Sequence, residues 1–192
     1  MGPQNTAELL PMIGRIGGNA ALEIIKDQLK MSENVNIAVR ALCNWPNAVV
    51  ADDLLAIAEN ARMSDQNKIA ALRAFARVIS LRDEEIGIRI SGKNKVAKLR
   101  KGMGLATRVE EKRLILDRTA AVRDVDSIKF ALEYIDDNDL QQNACRTIID
   151  IAHHDNMRRP NKELFGPALD KVIERIKDNG QKERAQRYRA NM

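Results

Sequence analysis

Apolar residues recur at intervals of three and four along most of the chain. Leu22, Ile25 and Leu29, then Val50, Leu54, Ile57 and Ala58, then Ile128, Ala131, Leu132 and Ile135 each mark one face of an amphipathic helix. The pattern predicts helices over 19–29, 47–60 and 126–135. Each follows residues suited to stop one helix and cap the next: Gly17-Gly18-Asn19, Trp45-Pro46-Asn47 and Asp124-Val125-Asp126. There a short side-chain oxygen can accept a backbone N–H that the first turn leaves unpaired. A second set of helices is predicted over 35–44, 67–81, 109–122 and 140–153. Residues 6–16 read as a further member of that second set, without a first-helix partner, behind a leader of residues 1–5.

The second helices carry a repeat. Ala38-Val39-Arg40-Ala41-Leu42 is echoed by Ala71-Leu72-Arg73-Ala74-Phe75 and by Ala144-Cys145-Arg146-Thr147-Ile148, with a looser copy at Glu111-Lys112-Arg113-Leu114-Ile115. Steps of 33, 40 and 33 residues separate Arg40, Arg73, Arg113 and Arg146, the length of one helix pair with its turns. A pair of short helices cannot cover its own apolar face, so neighbouring pairs must stack around a shared core. The expected fold is all-α: a right-handed α-α superhelix of four to five helix pairs. In such a stack a repeated arginine serves to bridge one pair to the next, by bonding a carboxylate or carbonyl of its neighbour.

Two stretches depart from the repeat. Residues 82–103 form a basic, Gly-interrupted insertion in place of a clean first helix. Residues 158–192 supply a long amphipathic helix (Leu164, Leu169, Val172, Ile173, Ile176) with Pro167 near its start or at a kink, then Asn179-Gly180 and a basic tail. This segment is expected to cap the array that occupies residues 6–157.

These residues carry a resemblance. The Ile13-Gly14-Arg15-Ile16-Gly17-Gly18 turn leading into Ala20-Ala21-Leu22, with the Arg-centred second helices, resembles HEAT-type repeats. Val39-Arg40-Ala41-Leu42 ending in Trp45-Pro46, with Glu110-Glu111-Lys112-Arg113 further on, is similar to the HEAT-like, armadillo-type domains of large multidomain bacterial proteins. The likeness spans about residues 6–155. It implies a non-catalytic interaction module, of a kind often appended to secreted or envelope enzymes of carbohydrate-related function. The half-repeat at the start suggests a fragment of a longer parent, so the lack of a signal peptide leaves the compartment open.

Composition agrees with the helical pattern. Of the 192 residues 44% are hydrophobic, 31% charged and only 3% aromatic, which disfavours both a disordered chain and an all-β sandwich. No apolar run approaches the roughly 20 residues of a membrane span. The net charge of +5 is uneven: −1 over 1–92, +6 over 93–118, −5 over 119–157 and +5 over 158–192. Lys93, Lys95, Lys98, Arg100, Lys101 and Arg108 are therefore the candidate binding surface. Cys43 and Cys145 lie inside apolar helical patterns with no CxxC spacing, and are expected to be buried free thiols.

Catalytic or metal chemistry finds little material. Gly87-Ile88-Arg89-Ile90-Ser91-Gly92-Lys93-Asn94 matches GxxxxGK, but lacks the final Ser/Thr and a preceding strand. His153-His154-Asp155 holds the only two imidazoles, and helix neighbours point about 100° apart. Asp136-Asp137-Asn138-Asp139 lacks the Gly and Glu of a calcium loop and reads as a helix cap. No residue reads as catalytic, and no metal or cofactor is expected. The expected partner is another protein, or other domains of the parent chain. The alternative is a nucleic-acid-binding domain, since HEAT-like solenoids also occur in DNA glycosylases that recognise alkylated bases. Here a single Trp45 next to Pro46 offers no stacking set for bases.

Overall fold

In the computed structural model the backbone is described from Pro3 and the side chains from Leu9, both to Met192. The described residues are all-helical, with no strand. The chain divides into two compact units, Met1–Arg89 and Ile90–Met192. That boundary falls inside the stretch expected to be one array.

The first unit contains α1 (Pro3–Ile16), α2 (Asn19–Gln28), α3 (Val35–Cys43), α4 (Ala51–Glu59, entered through a 3-10 turn at Ala48–Val50) and α5 (Asp65–Ile79). Within it α1 packs on α3 and α3 on α5, while α2 lies against α1 and α3, and α4 against α5. The expected leader over residues 1–5 lies partly outside the described residues, and α1 has already begun at Pro3. Ile13 to Ile16 end that helix; the turn itself is Gly17 and Gly18, whose φ of 77° and 98° are left-handed values that glycine adopts without strain. Asn47 accepts the Val49 N–H, and Ser64 accepts that of Asn67. The Ser64 cap starts α5 two residues earlier than periodicity indicates. Leu22, Ile25, Val39, Leu42, Leu54, Leu72 and Phe75 fill the core.

The second unit contains α6 (Gly92–Leu105), α7 (Val109–Thr119), α8 (Val125–Leu132), α9 (Gln141–Ala152), α10 (Asp155–Arg158, followed by a 3-10 turn at Arg159–Asn161), α11 (Lys162–Arg175) and α12 (Asn179–Ala190). Hairpin partners α6/α7, α8/α9 and α11/α12 pack together; α8 also touches α6 and α11, and α9 touches α7 and α12. Ile128, Ile148, Ile149, Phe165, Leu169 and Val172 form the core between α8, α9 and α11.

Both irregular stretches prove more helical than expected. The basic insertion over 82–103 holds most of α6, begun by Ser91 accepting the Asn94 N–H. Lys-rich composition hides its buried face of Val96, Leu99 and Met103. The basic tail is α12, started by Asp178, which accepts the Gln181 N–H; Asn179-Gly180 opens this helix and does not break the chain. Ala185 is the one buried residue of α12, so no apolar period announces it.

Candidate interaction surface

The repeat arginines point outward. Arg40, Arg73, Arg113 and Arg146 are all exposed, on α3, α5, α7 and α9 respectively. Arg113 makes the expected neighbour-to-neighbour bond, its Nε donating to the Asp139 carbonyl at 2.9 Å. Arg40 and Arg146 have no hydrogen-bond or ion-pair partner among the described residues. On α3 and α5 the small apolar residues on either side of the Arg turn inward, leaving the Arg on the outward face.

Other residues tie the pairs together. Arg77 Nη2 donates to the Trp45 carbonyl at 2.7 Å and to that of Cys43 at 3.1 Å. Asn67 Nδ2 donates to Asn36 Oδ1 at 2.9 Å. In the second unit Thr147 Oγ1 donates to the Leu116 carbonyl, Gln142 Nε2 to that of Arg175, and Arg184 Nη2 to Asp150 Oδ1. These bonds join residues 31 to 34 apart, so the sequence period reappears in them. Arg77, one helical turn past Arg73, could have been singled out by that offset.

The basic candidates do not form one open surface. Lys95 is only 5% exposed, which corrects its assignment to a binding face: it shares the inward side of α6 with Val96, Leu99 and Met103. Arg100 pairs with Glu133 and lies over the Phe130 ring, 4.7 Å from its centroid. Arg108 faces Glu110 and Glu111. Lys98 is half-buried, while Lys93 and Lys101 are exposed. A cavity of about 400 Å³ opens beside Arg100, Met103, Phe130 and Tyr134, with the Glu133 carboxylate on its rim. Burial, with Glu133 second, pushes the Tyr134 hydroxyl above its ordinary range, so it stays a neutral phenol.

The other motifs resolve into structural roles. Ser91 caps α6 at the end of the GxxxxGK stretch, and a Cβ at Gly92 would lie 2.7 Å from Asp124 Oδ2. Asp137 Oδ1 accepts the Asp139 and Leu140 N–H groups ahead of α9. His153 Nδ1 is 3.1 Å from the Tyr188 hydroxyl, and burial, then Arg123, lowers the His154 pKa. Among the described residues no three His, Cys, Asp or Glu side chains could hold a metal ion. Trp45 is buried, so its ring cannot stack on a base. Cys145 is buried and Cys43 half-buried; both are free, with burial pushing each thiol up to about 11.

A groove with polar walls lies between α3 and α5. It is about 350 Å³ and lined by Asn36, Val39, Arg40, Cys43, Gln66, Asn67 and Ala70. These features define an all-helical protein with outward-facing arginines on neighbouring helices of each unit. No protein-family model, curated protein or solved structure matches the chain.

Proposed function

We propose that the chain is a non-catalytic protein-interaction scaffold of the HEAT-like, α-solenoid kind, a module of a larger protein, and that its exposed arginines meet an acidic partner. The observation that carries this reading is the placement of Arg40 with Arg73 on adjacent helices of the first unit, and of Arg113 with Arg146 in the second. Exposed arginines offer planar, multidentate sites for carboxylates, and Arg40 and Arg146 have no hydrogen-bond or ion-pair partner among the described residues. Helical repeats present such side chains over a long surface at little folding cost. Among the described residues no helix is long and apolar enough to cross a membrane.

The test is cross-linking of the full chain in extract of its source organism, with the cross-linked positions mapped. Partners cross-linked beside the four arginines, and lost when all four become Glu, are expected. An unchanged partner set in that variant, or none with the wild-type chain, would refute the scaffold reading. The nucleic-acid alternative predicts micromolar binding of a labelled duplex, lost steeply between about 50 and 200 mM salt. Burial of Lys95 and Trp45 and the carboxylate partners of Arg100 and Arg108 weigh against it.

A further inference from the structure

The groove between α3 and α5 is walled by polar groups with hydrogen-bonding capacity to spare. Asn67 donates once to Asn36, at 2.9 Å. That bond uses one hydrogen of the Asn67 amide and one lone pair of Asn36 Oδ1. The Asn36 NH2 and the Asn67 carbonyl oxygen are left as a donor and an acceptor at the groove wall. Gln66 beside them is exposed and has no hydrogen-bond partner among the described residues. Val39, Cys43 and Ala70 line the groove with small side chains. The Cys43 thiol, pushed up to about 11 by burial, is a neutral part of that lining and not a nucleophile.

The charge at the groove has one sign. Arg40 is its only charged lining residue and is exposed without a partner among the described residues. Asn36, Gln66 and Asn67 stand in the first turns of α3 and α5, where the helix dipole favours negative charge and acceptors. At the other end Arg77 closes the space between the helices by bonding the Cys43 and Trp45 carbonyls.

An extended peptide alternates donors and acceptors along its main chain, as this wall of side-chain amides does, and its acidic side chain meets Arg40. We propose that the α3–α5 groove receives an extended acidic segment of a partner protein, its main chain bonded by Asn36, Gln66 and Asn67 and a carboxylate paired with Arg40. This rests on the interaction-scaffold reading and gives that partner its chemistry. The Arg40–carboxylate contact sets the acidic preference, and the amides set the extended conformation.

The test titrates the full chain with the capped hexapeptide of alternating Gly and Glu, observing the side-chain amide signals of Asn36, Gln66 and Asn67 by NMR. Saturable shifts at these three amides are expected, with the Gly-Gln counterpart binding about two- to fivefold more weakly. R40Q should remove that preference and A70M, which fills the groove without changing its charge, should abolish the shifts. Unmoved amides, or shifts indifferent to both variants, would overturn the groove as the site. If the peptide instead moves signals around Arg113 and Arg146, the scaffold reading survives and the groove fails. If the amides respond but no partner is cross-linked, the groove binds acidic peptide, while the scaffold reading and the partner protein proposed as its occupant both fail.

Discussion

Two glycines and two cysteines show how much a single side chain can decide. Gly14 lets α1 approach α3: a Cβ there would sit on the Ala41 carbonyl oxygen and 2.8 Å from its carbonyl carbon. Gly14→Ala is therefore expected to destabilise the chain by about 2 kcal/mol, read as a lower urea midpoint, despite alanine's better helix propensity. Gly104 is the counter-case, since a Cβ there meets nothing within 4 Å. The thiols set a pH dependence. Burial raises the folded-state pKa of Cys43 and Cys145 from 9.0 to about 11, so the unfolded chain loses these protons first. Their contribution is intact below pH 9 and is lost as pH climbs toward 11. Urea titrations across that window should show a steeper fall for the native chain than for C43A/C145A. The sequence pattern placed both thiols on apolar helix faces; Cys145 is buried as that pattern implies, while Cys43 is half-buried. That pattern gave no sign of the Gly14 contact, because a close backbone approach leaves no mark in periodicity.

Among elements, the helices were readable wherever an apolar face recurs, as in α2, α3, α8 and α9. They were hidden where polar contacts do the holding. α12 buries Ala185 alone and is fastened by Arg184 to Asp150, Arg189 to Asp170 and Tyr188 to His153. In α6 a buried lysine interrupts the apolar face. The same division separates Arg40, in the repeat, from Arg77, one turn beyond the repeat position on α5. Arg77→Met breaks donations to two main-chain carbonyls between α5 and the end of α3 and is expected to cost about 2 kcal/mol in urea unfolding. Arg40→Met touches no partner among the described residues and should shift stability by no more than about 0.5 kcal/mol. The repeat drew attention to Arg40 and Arg73 because composition repeats there; the Arg77 bonds to the end of α3 lie one turn further on, because which side of a helix faces its neighbour depends on packing angles.

For the whole molecule, the chain falls into two compact units, with Arg82 and Arg89 exposed in the turn-rich stretch that joins α5 to α6. Trypsin under limiting conditions should cut first at Arg82 or Arg89, and intact-mass analysis should find fragments matching Met1–Arg89 and Ile90–Met192 to within that loop. An initial cut inside α3, α5 or α9 would count against the division. Local spacing determined by itself that this protein is helical, where most helices start and which residues pair into hairpins, since capping and a period of 3.6 act over one or two turns. Only the tertiary structure decided that Lys95 is buried, that Arg77 and the Asn36–Asn67 pair bridge the helices, and that amides and Arg40 meet at one groove. Those outcomes depend on contacts between residues some thirty positions apart, set by the angle at which two helices pack, and a one-dimensional pattern does not carry that angle.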